Sequence, residues 1–210
     1  MATEEEPVLR RALEIEKREN PGSVDEAQTL WSLMSLSART GNLAAARDYG
    51  RRRYETLLHK LGPNHGATAV AAMRWAQYRS DLGETNEAVQ QVLEGMPAAR
   101  GAYPPPSFDL CTPTFIAAHV LNQAKRFEEA EAYARESLTI ANEAHLPQVN
   151  RRTAESLFEL GKALQGEKKY REANSTIETS AAMYDRLGPV WAKRTEEVRK
   201  AIRQGPVQSK

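Results

Sequence analysis

The chain has one cysteine, Cys111, which excludes any disulfide within it and suits a reducing compartment. It also lacks an excess of charge of either sign. Its 29 basic and 28 acidic residues leave a formal net charge of +1, so no electrostatic footprint for nucleic acid or an anionic membrane is present. No stretch approaches the ~18 consecutive apolar residues of a membrane-spanning helix. The N-terminus, Met1-Ala2-Thr3-Glu4-Glu5-Glu6, is acidic and has no apolar core, so it does not read as a secretory signal. No segment alternates with the period of two that marks a half-buried strand. With 40% hydrophobic residues the chain can still bury a substantial core. These absences lead us to expect a cytoplasmic, helical protein.

Sequence signals for chemistry are equally sparse. His59, His65, His119 and His145 are dispersed over separate elements, with no H-E-x-x-H and no cysteine pair to hold zinc. Neither Gly-rich phosphate-binding motif occurs. Cys111 and His119 would lie about 12 Å apart along a helix at 1.5 Å per residue, too far for a thiolate dyad. Asn174-Ser175-Thr176 matches a glycosylation acceptor but falls mid-helix, where it reads as a chance match. No catalytic, cofactor-binding or metal-ligating residue is assigned, and the chain is not expected to be an enzyme.

What the chain does have is a period. Ala46, Ala88, Ala130 and Ala173 each stand three residues after Leu43, Thr85, Phe127 and Tyr170, at spacings of 42, 42 and 43 residues. A fixed period of this length marks stacked repeats. Residues 7–19 form a helix candidate with Pro7 in its first turn, and Asn20-Pro21-Gly22 ends it. Ser23 and Glu26 read as a capping box for the next helix. Helices then alternate with short turns at Gly41-Asn42, Gly83-Glu84, Lys125-Arg126 and Gly166. One helix is expected to end near Met96-Pro97, and Pro104-Pro105-Pro106 reads as an extended connector. Thr112-Pro113 reads as an N-cap followed by proline at N1. The fourth pair spans roughly 148–165 and 168–187.

These residues resemble the tetratricopeptide repeat (TPR) family, in the long-period form found in kinesin light chains. Leu61-Gly62-Pro63-Asn64-His65-Gly66-Ala67-Thr68-Ala69 is similar to the segment leading into the first helix of such repeats, departing from it at Gly66. Phe127-Glu128-Glu129-Ala130-Glu131-Ala132-Tyr133 and Tyr170-Arg171-Glu172-Ala173 look like starts of the second helix, and Leu160-Gly161 like the large-small pair of the first. Leu43 and Thr85 depart from the usual aromatic. A HEAT-type repeat of ~40–47 residues is the rival, which the glycine turns and aromatic-x-x-Ala spacing disfavour.

The resemblance implies an all-α fold, an α-α superhelix built as a right-handed solenoid of antiparallel hairpins. It is expected as one domain over residues 7–204: a half repeat at 7–22, repeats at about 23–61, 62–103, 104–146 and 147–187, and a capping helix at 189–204. Residues 1–6 and 205–210 are expected to be disordered. Because 7–19 aligns with the second helix of a repeat, the chain reads as a region of a longer protein.

The resemblance also implies a peptide or protein ligand held on the concave face by the first helix of each pair. Trp31, Met73, Phe115 and Phe158 occupy one slot per repeat and read as apolar anchors, unless they instead close the core between neighbouring helices. Ser35, Gln77, His119 and Lys162 follow one turn on, then Asn122 in the next row, with Arg74 and Glu159 flanking. The paired basic residues of a carboxylate clamp are missing. Arg47 and Arg51 to Arg53 form the one dense basic cluster, which reads as a solvated outer face, with weak nucleic-acid binding as the lesser alternative. The expected function is a non-enzymatic protein–protein interaction scaffold that does not bind nucleic acid or membrane, as a monomer or weak homodimer. The alternative is a self-associating structural or regulatory module appended to a catalytic domain such as a kinase.

Overall fold

The computed structural model describes residues 2–144, 147 and 149–204. His145, Gln148 and the 205–210 tail, all named above, lie outside the described residues. The chain divides into two compact units, Met1–Ala102 and Tyr103–Lys210, where the repeat arithmetic had led us to expect a single domain. Their boundary falls next to the proline-rich connector. All regular elements among the described residues are helical.

The first unit comprises α1 (Ala2–Glu19), α2 (Val24–Arg39), α3 (Leu43–Leu61), α4 (Gly66–Asp81) and α5 (Thr85–Ala102). Each helix packs on the next. α1 begins five residues earlier than Pro7, so residues 2–6 belong to the helix rather than to a disordered leader. Glu6 paired with Arg10 at 2.6 Å, and Glu5 with Arg39 of α2 at 2.7 Å, give that first turn local support. Ser23 caps α2 by accepting from the Glu26 N–H at 3.1 Å. The Glu26 carboxylate reaches back to the Gly22 N–H at 2.8 Å, one residue beyond the capping-box partner. His65 is the N-cap of α4, its Nδ1 accepting from the Ala67 N–H at 3.1 Å.

α5 runs through Pro97 instead of ending there. The reason is packing: Val92, Met96 and Ala99 continue one buried stripe across the proline. That burial outweighs the hydrogen bond that proline removes. The basic cluster of α3 is largely neutralised within the unit. Arg47 pairs with Glu84 at 2.7 Å, Arg51 pairs with Glu55 at 3.0 Å, and the Arg52 guanidinium sits 5.7 Å over the Tyr49 ring.

The second unit contains a 3-10 turn (Phe108–Leu110), α6 (Cys111–Gln123), α7 (Phe127–Glu143), α8 (Arg151–Gly166), α9 (Tyr170–Arg186), a second 3-10 turn (Pro189–Trp191) and α10 (Ala192–Gln204). α6 starts at Cys111 rather than after Thr112, because the 3-10 turn runs directly into it. Asn150 caps α8 by accepting from the Thr153 N–H at 2.8 Å. α6 contacts α8 as well as α7, and α10 covers α9. One core cluster joins Phe158 of α8 to Ile177, Ala181 and Tyr184 of α9 and Val198 of α10.

The period has a physical basis at two places. Ala46, Ala88, Ala130 and Ala173 are all completely buried. The turn before each of them is the same closed loop. Backbone N–H groups of Asn42, Glu84, Arg126 and Lys169 donate to the carbonyls of Ser37, Arg79, Leu121 and Leu164 at 2.8, 2.9, 2.9 and 2.8 Å. Such a loop needs one residue in the left-handed region. Gly41 and Gly83 supply it in the first unit, at φ 83° and 89°. Lys125 and Lys168 supply it in the second, at φ 59° and 65°.

Two stability predictions follow from these contacts. A Cβ on Gly161 would lie 2.3 Å from Cγ1 of Ile177, whereas one on Gly101 would meet nothing within 4 Å. Gly161→Ala should therefore cost about 1–3 kcal/mol in urea unfolding, while Gly101→Ala should be neutral or stabilising by up to about 1 kcal/mol. Lys168→Gly relieves a left-handed non-glycine residue and should raise stability by about 1 kcal/mol. An unchanged or lower urea midpoint would contradict that assignment.

Candidate functional site

The sequence-derived site residues fall in different units and in different environments. Trp31 and Met73 belong to the first unit, and Phe115 and Phe158 to the second. Trp31 is 42% exposed, whereas Met73 is fully buried and Phe115 and Phe158 are 5% and 8% exposed. The slot read as a row of apolar anchors is thus core at three of its four positions. Gly95 of α5 lets the Met73 sulfur approach, the position of a Cβ there lying 3.4 Å from Sδ. Ser35 is half-buried, and Arg74 donates to Gln77 Oε1 at 2.8 Å along α4.

The second unit brings the remaining candidates together around a residue that had been read only as flanking, Glu159. This carboxylate is 1% exposed. His119 Nδ1 stands 3.0 Å from its Oε1, Asn122 Nδ2 donates to its Oε2 at 2.9 Å, and Lys162 Nζ lies 2.7 Å from the same Oε2. Asn122 Nδ2 also donates to the Glu159 main-chain carbonyl at 2.9 Å. His119 and Asn122 lie on α6, Glu159 and Lys162 on α8, so one carboxylate stitches two first helices together. Burial is the largest influence on Glu159 and favours its neutral form. The charges of Lys162 and His119, with their hydrogen bonds, outweigh it and hold the carboxyl well below the usual carboxylate range.

Around this centre the two phenylalanine rings are roofed by cations. The Arg152 guanidinium lies 5.0 Å over Phe115, and Phe158 has Lys162 Nζ at 5.4 Å and the Arg194 guanidinium at 5.0 Å. Each cation has its own acid: Arg152 with Glu155 at 2.6 Å, Lys162 with Glu159, and Arg194 with Glu197 at 3.1 Å. Beside them an open pocket of about 440 Å³ is lined by Phe158, Lys162, Gln165, Glu197, Lys200 and Ala201. Gln165 is oriented by donating to the Ala201 carbonyl at 3.0 Å. The face therefore offers hydrogen-bonding and ionic groups at its surface, with the apolar rings beneath.

Cys111 is sealed within the second unit. Cys111 is completely buried, its thiol 3.7 Å from the Ser137 carbonyl, and burial pushes it up to about 11. Such a thiol is a poor nucleophile at neutral pH. Among the described residues no group of three or more His, Cys, Asp or Glu could hold a metal ion, and no helix is long and apolar enough to cross a membrane.

Comparison with known families places this geometry in context. Residues 111–186 match the tetratricopeptide repeat family model. The match begins with α6 and ends with α9, so it covers both hairpins that carry the Glu159 cluster. It supports a TPR-type protein with an all-α, TPR-like fold. Repeats of this type generally mediate protein–protein interaction and are typically non-enzymatic scaffolds. No curated protein matches the chain.

The depressed Glu159 carboxyl makes a prediction about acid stability. Its contribution is present above the unfolded glutamate value of ~4.3 and is lost as pH falls below it toward the folded value. Glu159→Gln should cost on the order of 3 kcal/mol at neutral pH, since it strands buried charge. The gap between wild type and variant should narrow in unfolding experiments taken from about pH 5 down to about pH 3.

Proposed function

We propose that the chain is a protein–protein interaction module that docks a peptide or protein segment on the face that α6, α8 and α10 form in its second unit. The observation that carries this reading is the coincidence of two things on one segment. The tetratricopeptide match spans residues 111–186. Within it, His119, Asn122 and Lys162 converge on Glu159 beside an open pocket. The roles are divided. Phe115 and Phe158 are the packed floor; Arg152, Lys162 and Arg194 lie on that floor, each tied to a carboxylate. Gln165, Glu197 and Lys200 form the rim that a partner meets first.

Because the cations and acids of this face are paired with one another, a partner is recognised by matching an alternating pattern rather than by net charge. Apolar anchoring is secondary here, since the rings are already covered. This differs from the first unit, where Trp31 leaves a large apolar side chain exposed.

The test uses peptides selected from a displayed random library on the full chain. Glu197→Gln combined with Lys200→Glu alters the rim at two exposed positions outside the core. It should weaken the selected peptides at least tenfold, about 1.4 kcal/mol. Full affinity in that variant, or no peptide enriched at all, would count against this docking face.

A further inference from the structure

The Glu159 cluster has a donor that a lysine–carboxylate pair lacks: an imidazole. Asn122 is neutral and Lys162 contributes an ammonium, but histidine is the side chain whose charge ordinarily changes between pH 5 and 8. His119, like Asn122, reaches across from α6, and it takes Oε1 alone, while Asn122 and Lys162 share Oε2. Its side chain is 13% exposed, against 1% for Glu159. The imidazole can therefore exchange a proton with solvent while its partner stays sealed. A neutral ring can keep a hydrogen bond to Oε1 through Nδ1–H. The charged ring adds a salt bridge to it.

The groups that surround this pair decide the sign. On α6 the imidazole neighbours Phe115, ring centroids 6.4 Å apart, and Asn122. α8 presents Glu159 and Lys162, and beyond the Phe115 ring Arg152 with Glu155. α10 presents Arg194, whose charge senses Glu159 and which pairs with Glu197. The Glu159 carboxylate touches the ring and is shared with Lys162, whereas Arg152 and Arg194 pair with other carboxylates, Glu155 and Glu197. The contact at 3.0 Å with a carboxylate favours the imidazolium, and the shared Lys162 ammonium sits on the other oxygen.

We infer that His119 and Glu159 form a proton-sensitive brace between α6 and α8, tightest when the imidazole is charged, so that acidification from about pH 8 to about pH 6 stiffens the docking face. Its bearing on partner binding rests on the function proposed above. The brace itself is a property of the free chain. Rim variants that lose peptide would leave it intact, and a pH-insensitive brace would leave peptide binding intact, so the two ideas fail separately.

The experiment compares thermal unfolding of wild type and His119→Gln from pH 5.5 to 8.5, with the titration of the His119 ring followed by NMR in wild type and in Glu159→Gln. Glutamine keeps a donor but cannot charge, and the other histidines are present in both proteins. A ring whose proton is bound more tightly in the folded state stabilises fully below the unfolded value of ~6.5 and loses that stabilisation as pH rises through the folded one. The melting-temperature advantage of wild type should shrink by roughly 3 °C between pH 6 and 8. The NMR midpoint should lie above ~6.5 in wild type and fall in Glu159→Gln. A constant temperature difference, or a wild-type midpoint at or below that value, overturns the brace. Should His119→Gln fail to fold, the wild-type titration decides alone.

Discussion

The close approach of paired helices at Ala46, Ala88, Ala130 and Ala173 is the constraint that orders everything else. A completely buried methyl at each position leaves no room for a longer side chain, so the second helix of each hairpin is held at a fixed distance from its neighbours. The turn that precedes each alanine must then reverse the chain within a few residues, which the repeated backbone loop at Ser37–Asn42, Arg79–Glu84, Leu121–Arg126 and Leu164–Lys169 does. Distance and turn together fix which residues of the first helix look outward. A hairpin of this kind cannot bury both of its faces by itself, so neighbouring hairpins supply the missing contacts.

Glu159 is where that regularity is exchanged for specificity. A fully buried carboxylate is expensive, and its pairing with Lys162 and His119 does not by itself argue for net stability over an apolar core. What it does impose is register. Asn122 must meet both the Glu159 side chain and its main-chain carbonyl, so α6 cannot slide by a turn against α8 without leaving buried groups unsatisfied. The same region carries the close contact of Gly161 with Ile177, one turn or less from Glu159 on α8. The geometry of the face is therefore specified from both of its sides.

Much of this was legible in the residues and some was not, for identifiable reasons. The alanine period reports a packing constraint directly, since only small side chains satisfy it, and it led to the right hairpins. The left-handed turn was visible at Gly41 and Gly83 but hidden at Lys125 and Lys168, where lysine stands in the same phase and gives no local sign of positive φ. Pro97 misled because its local effect on a helix is strong; only the buried stripe through Met96 and Ala99, a tertiary fact, overrides it. His119, Asn122 and Lys162 were picked out by periodicity as polar members of one face. Periodicity could not say that they converge on Glu159, because that depends on how α6 and α8 are staggered. Nor could it say that Arg152 and Arg194 would roof the two phenylalanines.

For the docking we propose, that roofing changes the kind of recognition. A bare aromatic row gains affinity by burying apolar area, and tolerates many partners of suitable size. A ring covered by a guanidinium that is itself bonded to a carboxylate offers little apolar area to a newcomer. A partner must either match the ion pairs or displace one of them, and displacement leaves a charge without its acid in a poorly solvated place. Discrimination then comes mainly from the penalty on mismatched partners. In the docking we propose, the rim residues Glu197 and Lys200 govern encounter, while the buried centre at Glu159 governs how firmly the two helices beneath resist rearrangement.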